Sequence, residues 1–188
     1  MSVVPFYALK QHEIERRDGT LRLSSEPVDW DNDAVADILN DLIDTFRASK
    51  ISVGLAAIQI GVPKRIFVMN TNKDDPSGEF IFINPRIISA SGPNEISYES
   101  CMSMPNLKGK VRRKKKIVIE YFDTDRVKRV GHFSGFPARV IQHEMGHLDG
   151  ILCLDRIEGD KGIESADYQT SDNYPLDPIF EHSTGGLK

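Results

Sequence analysis

Gln142-His143-Glu144-Met145-Gly146-His147 places two imidazoles four positions apart with a carboxylate beside the first. On an α-helix, side chains four apart share a face, so both imidazoles can reach one cation. Glu144 then stands close enough to handle a proton on water held by that cation. By chance the pattern occurs in fewer than about one chain in a hundred of this length. Apolar anchors surround it: Phe136, Val140, Ile141 and Leu148 predict a helix over 135–149, with Gly150 as its stop. The spacing predicts a helix that passes through a core and carries a metal-dependent hydrolytic centre.

Working outward, the region upstream of this helix is β-rich. The segment Arg65-Ile66-Phe67-Val68-Met69-Asn70 reads as a strand, and Phe80-Ile81-Phe82-Ile83 as a second, stopped by Asn84-Pro85. Ile87-Ile88 and residues 95–99 continue the pattern. Ile117, Ile119 and Tyr121 alternate through 111–122, and a turn at Asp123-Thr124-Asp125 leads to a hairpin partner at 127–130. Nearer the start, residues 1–28 read as an irregular arm. Asp31 or Asn32 then caps a helix whose stripe is Val35, Ile38, Leu39, Leu42, Ile43 and Phe46. Beyond Gly159 the chain is polar, and a loosely ordered tail is expected from about residue 160. With no repeat or linker visible, the expected fold is α+β, one domain over 1–188, with mixed or antiparallel sheets around the central HExxH helix.

Composition narrows the function classes. A length of 188 residues suits one core. The net charge of −4 argues against a general polyanion binder. No run approaches the roughly 18 apolar residues that a membrane span needs. The first residues resemble neither a signal nor a transit peptide. Two cysteines, Cys101 and Cys153, cannot build a disulfide framework, so a reducing cytoplasm is expected, with free thiolates available as ligands. The run Arg112-Arg113-Lys114-Lys115-Lys116 reads as a solvated strand edge rather than an RNA track, and no sequence-specific nucleic acid is expected. His12, His132 and His182 have no neighbouring ligand at useful spacing.

Two histidines leave a catalytic site one ligand short, since such sites use three protein ligands and an open position. One candidate is Cys153, which follows the helix as the last histidine does in HExxHxxGxxH endopeptidases, with Gly150 at the glycine position. Its setting, Ile151-Leu152-Cys153-Leu154, suits a small buried hydrophobe better. The other is Cys101, in the polar segment Tyr98-Glu99-Ser100-Cys101-Met102-Ser103, where a space-filling role fits less well.

Three segments in order sharpen the choice: Gly54-Leu55-Ala56-Ala57-Ile58-Gln59, Glu99-Ser100-Cys101-Met102-Ser103 and Gln142-His143-Glu144-Met145-Gly146-His147-Leu148. With weaker echoes at Leu21-Arg22, Pro27-Val28, Asn84-Pro85, Leu152 and Asp155, the chain resembles the peptide deformylase family over about residues 20–157. The resemblance implies removal of the formyl group from formyl-methionyl nascent peptides in the cytoplasm, with transient ribosome contact. It implies Cys101, His143 and His147 as ligands of one divalent ion, with water in the fourth place. Fe²⁺ is the ion expected physiologically; Zn²⁺, Ni²⁺ or Co²⁺ also suit a thiolate and two imidazoles. Metal-bound hydroxide would attack the formyl carbon, with Glu144 moving the proton. The Gln59 amide and the Met102 backbone N–H would serve the oxyanion. Gly54, Leu55, Phe136 and Val140 are the candidate lining for the methionine.

Three departures from the family pattern stand out. Ser52 and Ser100 occupy usual glycine positions, where each adds a hydroxyl. Gly146 replaces an aspartate expected to brace the helix, with Arg139 as its candidate partner. That loss costs roughly 0.5 kcal/mol of helix propensity and a group behind the ligands. Retained metal binding with altered or reduced deformylation is therefore expected, and a protein that binds formylated or acetylated N-termini without turnover is the remaining reading.

Overall fold

The computed structural model describes residues 4, 7–8, 19–72, 74–157, 163–165 and 179–180. Its first long helix, α1, spans Val35–Ala48 and buries Val35, Leu42, Thr45 and Phe46. Neither Asp31 nor Asn32 caps it. The helix starts behind Ala34 without a side-chain cap, because the acidic residues before it close a turn of their own. There Asp29 N–H donates to Asp33 Oδ2 at 2.7 Å, and Asp31 N–H to Asp29 Oδ1 at 3.1 Å.

A six-stranded antiparallel sheet follows, in the order β2 (Gly54–Ala56), β3 (Ile66–Met69), β4 (Phe80–Cys101), β5 (Met104–Phe122) and β6 (Lys128–Ser134). Its sixth strand, β7 (Ile163–Ser165), pairs with β5 over Leu107–Gly109. A separate parallel pair joins β1 (Tyr7–Ala8) to β8 (Ile179–Phe180). The tail expected from about 160 otherwise lies outside the described residues, as do His12 and His182.

Strand β4 does not stop at Asn84-Pro85. A proline cannot donate to the ladder, but a bulge tolerates it. The register slips between Ile83 and Arg86, with Asn84 in the left-handed region at φ 50. Asn84 then clamps the chain before α1, accepting Val28 N–H at 2.7 Å and donating to Val28 O at 3.1 Å. Further slips after Ile87 and Ser91 interrupt the long β4–β5 ribbon, whose far end carries Cys101.

Strand β3 is apolar at every position because both sheet faces are covered. Leu55, Ile66, Val68 and Ile83 pack with Leu42 and Phe46 of α1. Ala56, Phe67, Met69 and Phe82 pack with the second helix, α2 (Phe136–Leu148), through Ala138, Ile141 and Leu148. Phe67 and Phe82 stack with centroids 4.4 Å apart, and each fully buried ring of this kind contributes about 1.5–3 kcal/mol. Gly135, at φ 64, turns the chain from β6 into α2, and Pro137 occupies its first turn. The HExxH helix is thus a core element of an α+β fold. No helix among the described residues is long and apolar enough to cross a membrane.

Candidate metal centre

Three elements converge on the C-terminal half of α2. The helix supplies His143, Glu144 and His147. Cys101 is the last residue of β4, before the two-residue turn Met102-Ser103. Gln59 lies on a short 3-10 turn, Ala57–Ile60, directly after β2. Ligand atoms of Cys101, His143 and His147 all fall within 4.8 Å of one another, and Cys101 Sγ lies 3.2 Å from His147 Nε2. Donors about 2.0–2.3 Å from one tetrahedral ion stand at such mutual distances, so the donor set fits a divalent cation.

Behind the donors sits a buried charged network. Glu99, two residues before Cys101 and on the same strand face, is 8% exposed. Its Oε1 accepts from Arg113 Nε (3.0 Å) and Arg139 Nη1 (2.8 Å). Its Oε2 accepts from Arg113 Nη2 (2.8 Å) and lies 3.1 Å from His143 Nδ1. Burial opposes ionisation of Glu99, but Arg113 and His143 hold it well below the usual carboxylate range. His143 shows the converse: burial lowers its pKa, yet the bonds to Cys101 and Glu99 raise it to about 10. Burial and the charge on His143 push His147 well down, which keeps it neutral.

Glu144 is buried, and burial, opposed by His143, raises its pKa to about 7. Its Oε2 has no protein partner, an orphan acceptor beside the donor cluster. Gly54 makes this carboxylate's position possible: a Cβ there would stand 2.4 Å from Glu144 Oε1. Gln59 is oriented by Ala56, whose N–H donates to Oε1 at 2.9 Å. Its Nε2 is therefore aimed at the cluster, 3.0 Å from Ser103 Oγ and 3.7 Å from Cys101 Sγ. A cavity of about 170 Å³ opens over these groups, with Gly54, Gln59, Met102, Phe136, Val140, His143 and Glu144 in its wall.

The profile of the polypeptide deformylase family matches residues 11–162. The chain belongs to that family. A peptide deformylase from Pelodictyon phaeoclathratiforme is 37% identical over 144 residues, 75% of this chain and 76% of the relative. The peptide deformylase of Synechococcus elongatus, solved in complex with actinonin, superposes with a TM-score of 0.75 at 29% identity, over 84% of this chain and 82% of that one. The Met-Ala-Ser-bound enzyme of Acinetobacter baumannii gives 0.71 at 30% identity, over 84% of this chain and all of that one.

Within this deformylase framework, most of the residues singled out in the sequence meet at one place. Leu55 does not: it is fully buried, on the opposite strand face to Gly54, and packs in the α1 cluster rather than lining the cavity. Cys153 is buried and lies outside the donor set, and burial raises its thiol pKa well up. His132 is exposed on β6.

Arg139 makes no brace for position 146. Its guanidinium is engaged with Glu99, with Val111 O (2.9 Å) and with Glu95 O (2.7 Å). Position 146 itself has no room for a side chain: a Cβ would meet the Ile151 carbonyl oxygen at 2.6 Å. Ser52 uses its hydroxyl locally, donating to Gly54 O at 2.6 Å. Arg113 is not part of a solvated edge, being 6% exposed and paired with Glu99. The Glu99–Arg113–Arg139 network was the functional group missing from the sequence reading. The alternation Glu99, Cys101 and the buried face Arg139, His143 carried its signal.

Proposed function

We propose that this chain is a peptide deformylase that hydrolyses the formyl amide of N-terminal formyl-methionine, with Cys101, His143 and His147 holding one divalent ion. The observation that carries this reading is the unpartnered Glu144 Oε2 in the same cavity wall as Cys101, His143 and the Gln59 amide. When bound, the ion supplies Lewis acidity toward water and the formyl oxygen. Fe²⁺ is the ion we assign, on the family resemblance; one thiolate and two imidazoles suit it as they suit Zn²⁺, Ni²⁺ or Co²⁺.

The chain's own groups supply the rest. Oε2 of Glu144 takes a proton from water and returns it to the leaving amine; a carboxyl pKa near neutrality suits both directions. Gln59 Nε2 and the Met102 backbone N–H donate to the formyl oxygen as charge builds on it. The cavity, with Phe136 and Val140 in its wall, takes the methionine side chain. At about 170 Å³ it holds one side chain, below the range of drug-sized sites. The Acinetobacter relative's complex with Met-Ala-Ser supports a substrate of that form. Formylated nascent chains in the cytoplasm, met at the ribosome, are the physiological source we assign to it, and one domain carries the whole activity.

Formate release from formyl-Met-Ala-Ser tests the reading. Metal-loaded wild type and Cys153→Ala should turn over, while Cys101→Ala should lose both metal and activity. Activity that survives Cys101→Ala and disappears with Cys153→Ala, together with casein cleavage, would instead make the chain an endopeptidase.

A further inference from the structure

A second cavity, of about 770 Å³, lies on the other side of α2. His143, Glu144 and Val140 face the catalytic cavity, whereas Gln142, Met145, Gly146 and Asp149 line this groove. Steps of three and four place those four residues on one helix face. Opposite them stand six cations: Arg65, Arg86, Arg112, Arg113, Lys114 and Arg156. Arg65 pairs with Asp149, Arg86 with Glu120 and Arg113 with Glu99. Among the described residues, Lys114 and Arg156 have no carboxylate partner. Lys114 and Arg156 therefore leave the groove positively charged in a chain whose net charge is −4.

Two features that deformylation leaves unused meet here. The basic run contributes Arg112 and Lys114, beside the Arg113 that Glu99 already holds, and Gly146 lies in the helix wall. Gln142 fixes the strand against that wall, accepting Lys114 N–H at 3.2 Å and donating to Lys114 O at 2.9 Å. Five of the six cations are arginines, whose planar forks match phosphate oxygens in pairs. They come from separate parts of the chain, the residue before β3, β4, β5 and the turn after α2, and several cations in one groove suit several linked anionic groups. Pro27, Pro85, Ile87 and Met145 add apolar surface between them. The volume lies within the range of small-molecule sites.

We propose that this groove, formed by Arg65, Arg86, Arg112, Lys114 and Arg156 against the Gly146 face of α2, is a binding site for an oligophosphate ligand. The site is separate from the catalytic cavity and does not depend on the deformylase reading.

Calorimetric titration of the metal-loaded protein at low salt, with inorganic tripolyphosphate, GTP and ATP, tests it. Lys114→Glu/Arg156→Glu should weaken binding about tenfold or more. The single variant Arg156→Gln should show part of that loss, and Arg47→Glu, on α1, should show none. Melting temperatures report whether each variant is folded. Tighter binding of either nucleotide than of tripolyphosphate assigns a nucleotide, with its base on the apolar surface; equal binding assigns the bare oligophosphate. No binding at millimolar ligand overturns the proposal. Equal affinity in wild type and double variant also overturns it, because phosphate captured by the active-site ion gives that result. Affinity confined to single-stranded RNA, with tripolyphosphate and nucleotides silent, overturns it in favour of an RNA track.

Discussion

Oε2 of Glu99 lies 3.1 Å from Nδ1 of His143, and the same carboxylate holds the guanidinium groups of Arg113 and Arg139. With Nδ1–H donating to Glu99, His143 presents its other ring nitrogen to the cation site, where a bound ion would replace its proton. A strand residue thereby sets the orientation of a helix residue, and Arg113 together with His143 keeps the strand residue charged. The ligand geometry depends on β4 and α2 together.

Replacing Glu99 by Gln keeps the volume but removes one charge and one of the two acceptor oxygens. Metal affinity should fall about 10–100-fold, the usual effect of losing a carboxylate behind a histidine ligand. Competition with a chelator measures it, and an unchanged dissociation constant would show that Glu99 has no part in holding the ion.

The same substitution has a pH signature. The folded pKa of Glu99 is lowered, so its stabilisation is present above the unfolded value of 4.5 and lost as pH falls below it. Urea unfolding of metal-free protein should show wild type well above Glu99→Gln at pH 7. The gap should narrow at pH 3. A gap that is the same at both pH values would mean that the charge on Glu99 is not what stabilises this region.

Glu144 carries the opposite sign. Its folded pKa is raised to about 7, so its favourable contribution is complete below 4.5 and lost as pH rises through 7. Metal-free Glu144→Gln should therefore match wild type at pH 4 and exceed it at pH 8, while the metal-loaded variant releases no formate. Wild type more stable than the variant at pH 8 would contradict this.

Much of the centre was legible because its chemistry lies in short spacings. The pattern of His143, Glu144 and His147 needs only a helix, and an apolar stripe predicts one. The polar setting of Cys101 made it one of two candidate ligands, and the family pattern decided between them, since its approach to His147 depends on the path of the long β4–β5 ribbon. Strand β4 itself was misread at Asn84-Pro85, because a bulge and a strand end share the same residues. Leu55 was misplaced for want of one bit of information, which face of β2 meets the cavity. The arginines around Glu99 were hidden for a different reason. A buried ion pair reads as surface charge until both partners are placed.

Gly54 and Gly146 should prove intolerant for unlike reasons. A Cβ at 54 meets the flexible end of Glu144, and one at 146 meets the Ile151 backbone. Gly54→Ala should keep its fold and metal and lose most of its turnover, by displacement of Glu144. Gly146→Ala or Gly146→Asp should destabilise by about 1–3 kcal/mol through overpacking, outweighing a helix-propensity gain of up to about 1 kcal/mol. Thermal unfolding and formate release separate the two. A Gly146→Asp protein more stable than wild type would show that the chain after α2 moves aside freely.

Gln59 offers the sharpest division between binding and chemistry. Because Ala56 N–H fixes Oε1, Gln59→Glu can retain that bond while its other oxygen replaces the donor aimed at the formyl oxygen. The loss should fall on kcat, by about 100–1,000-fold as for other oxyanion donors, because the interaction strengthens only as charge develops. KM should change little, since the methionine side chain binds in the cavity wall formed by Phe136 and Val140 rather than at Gln59. Steady-state kinetics with formyl-Met-Ala-Ser decide it, with metal content measured alongside because Nε2 also lies 3.7 Å from Cys101 Sγ. A raised KM with kcat intact would move Gln59 from the reaction to substrate binding.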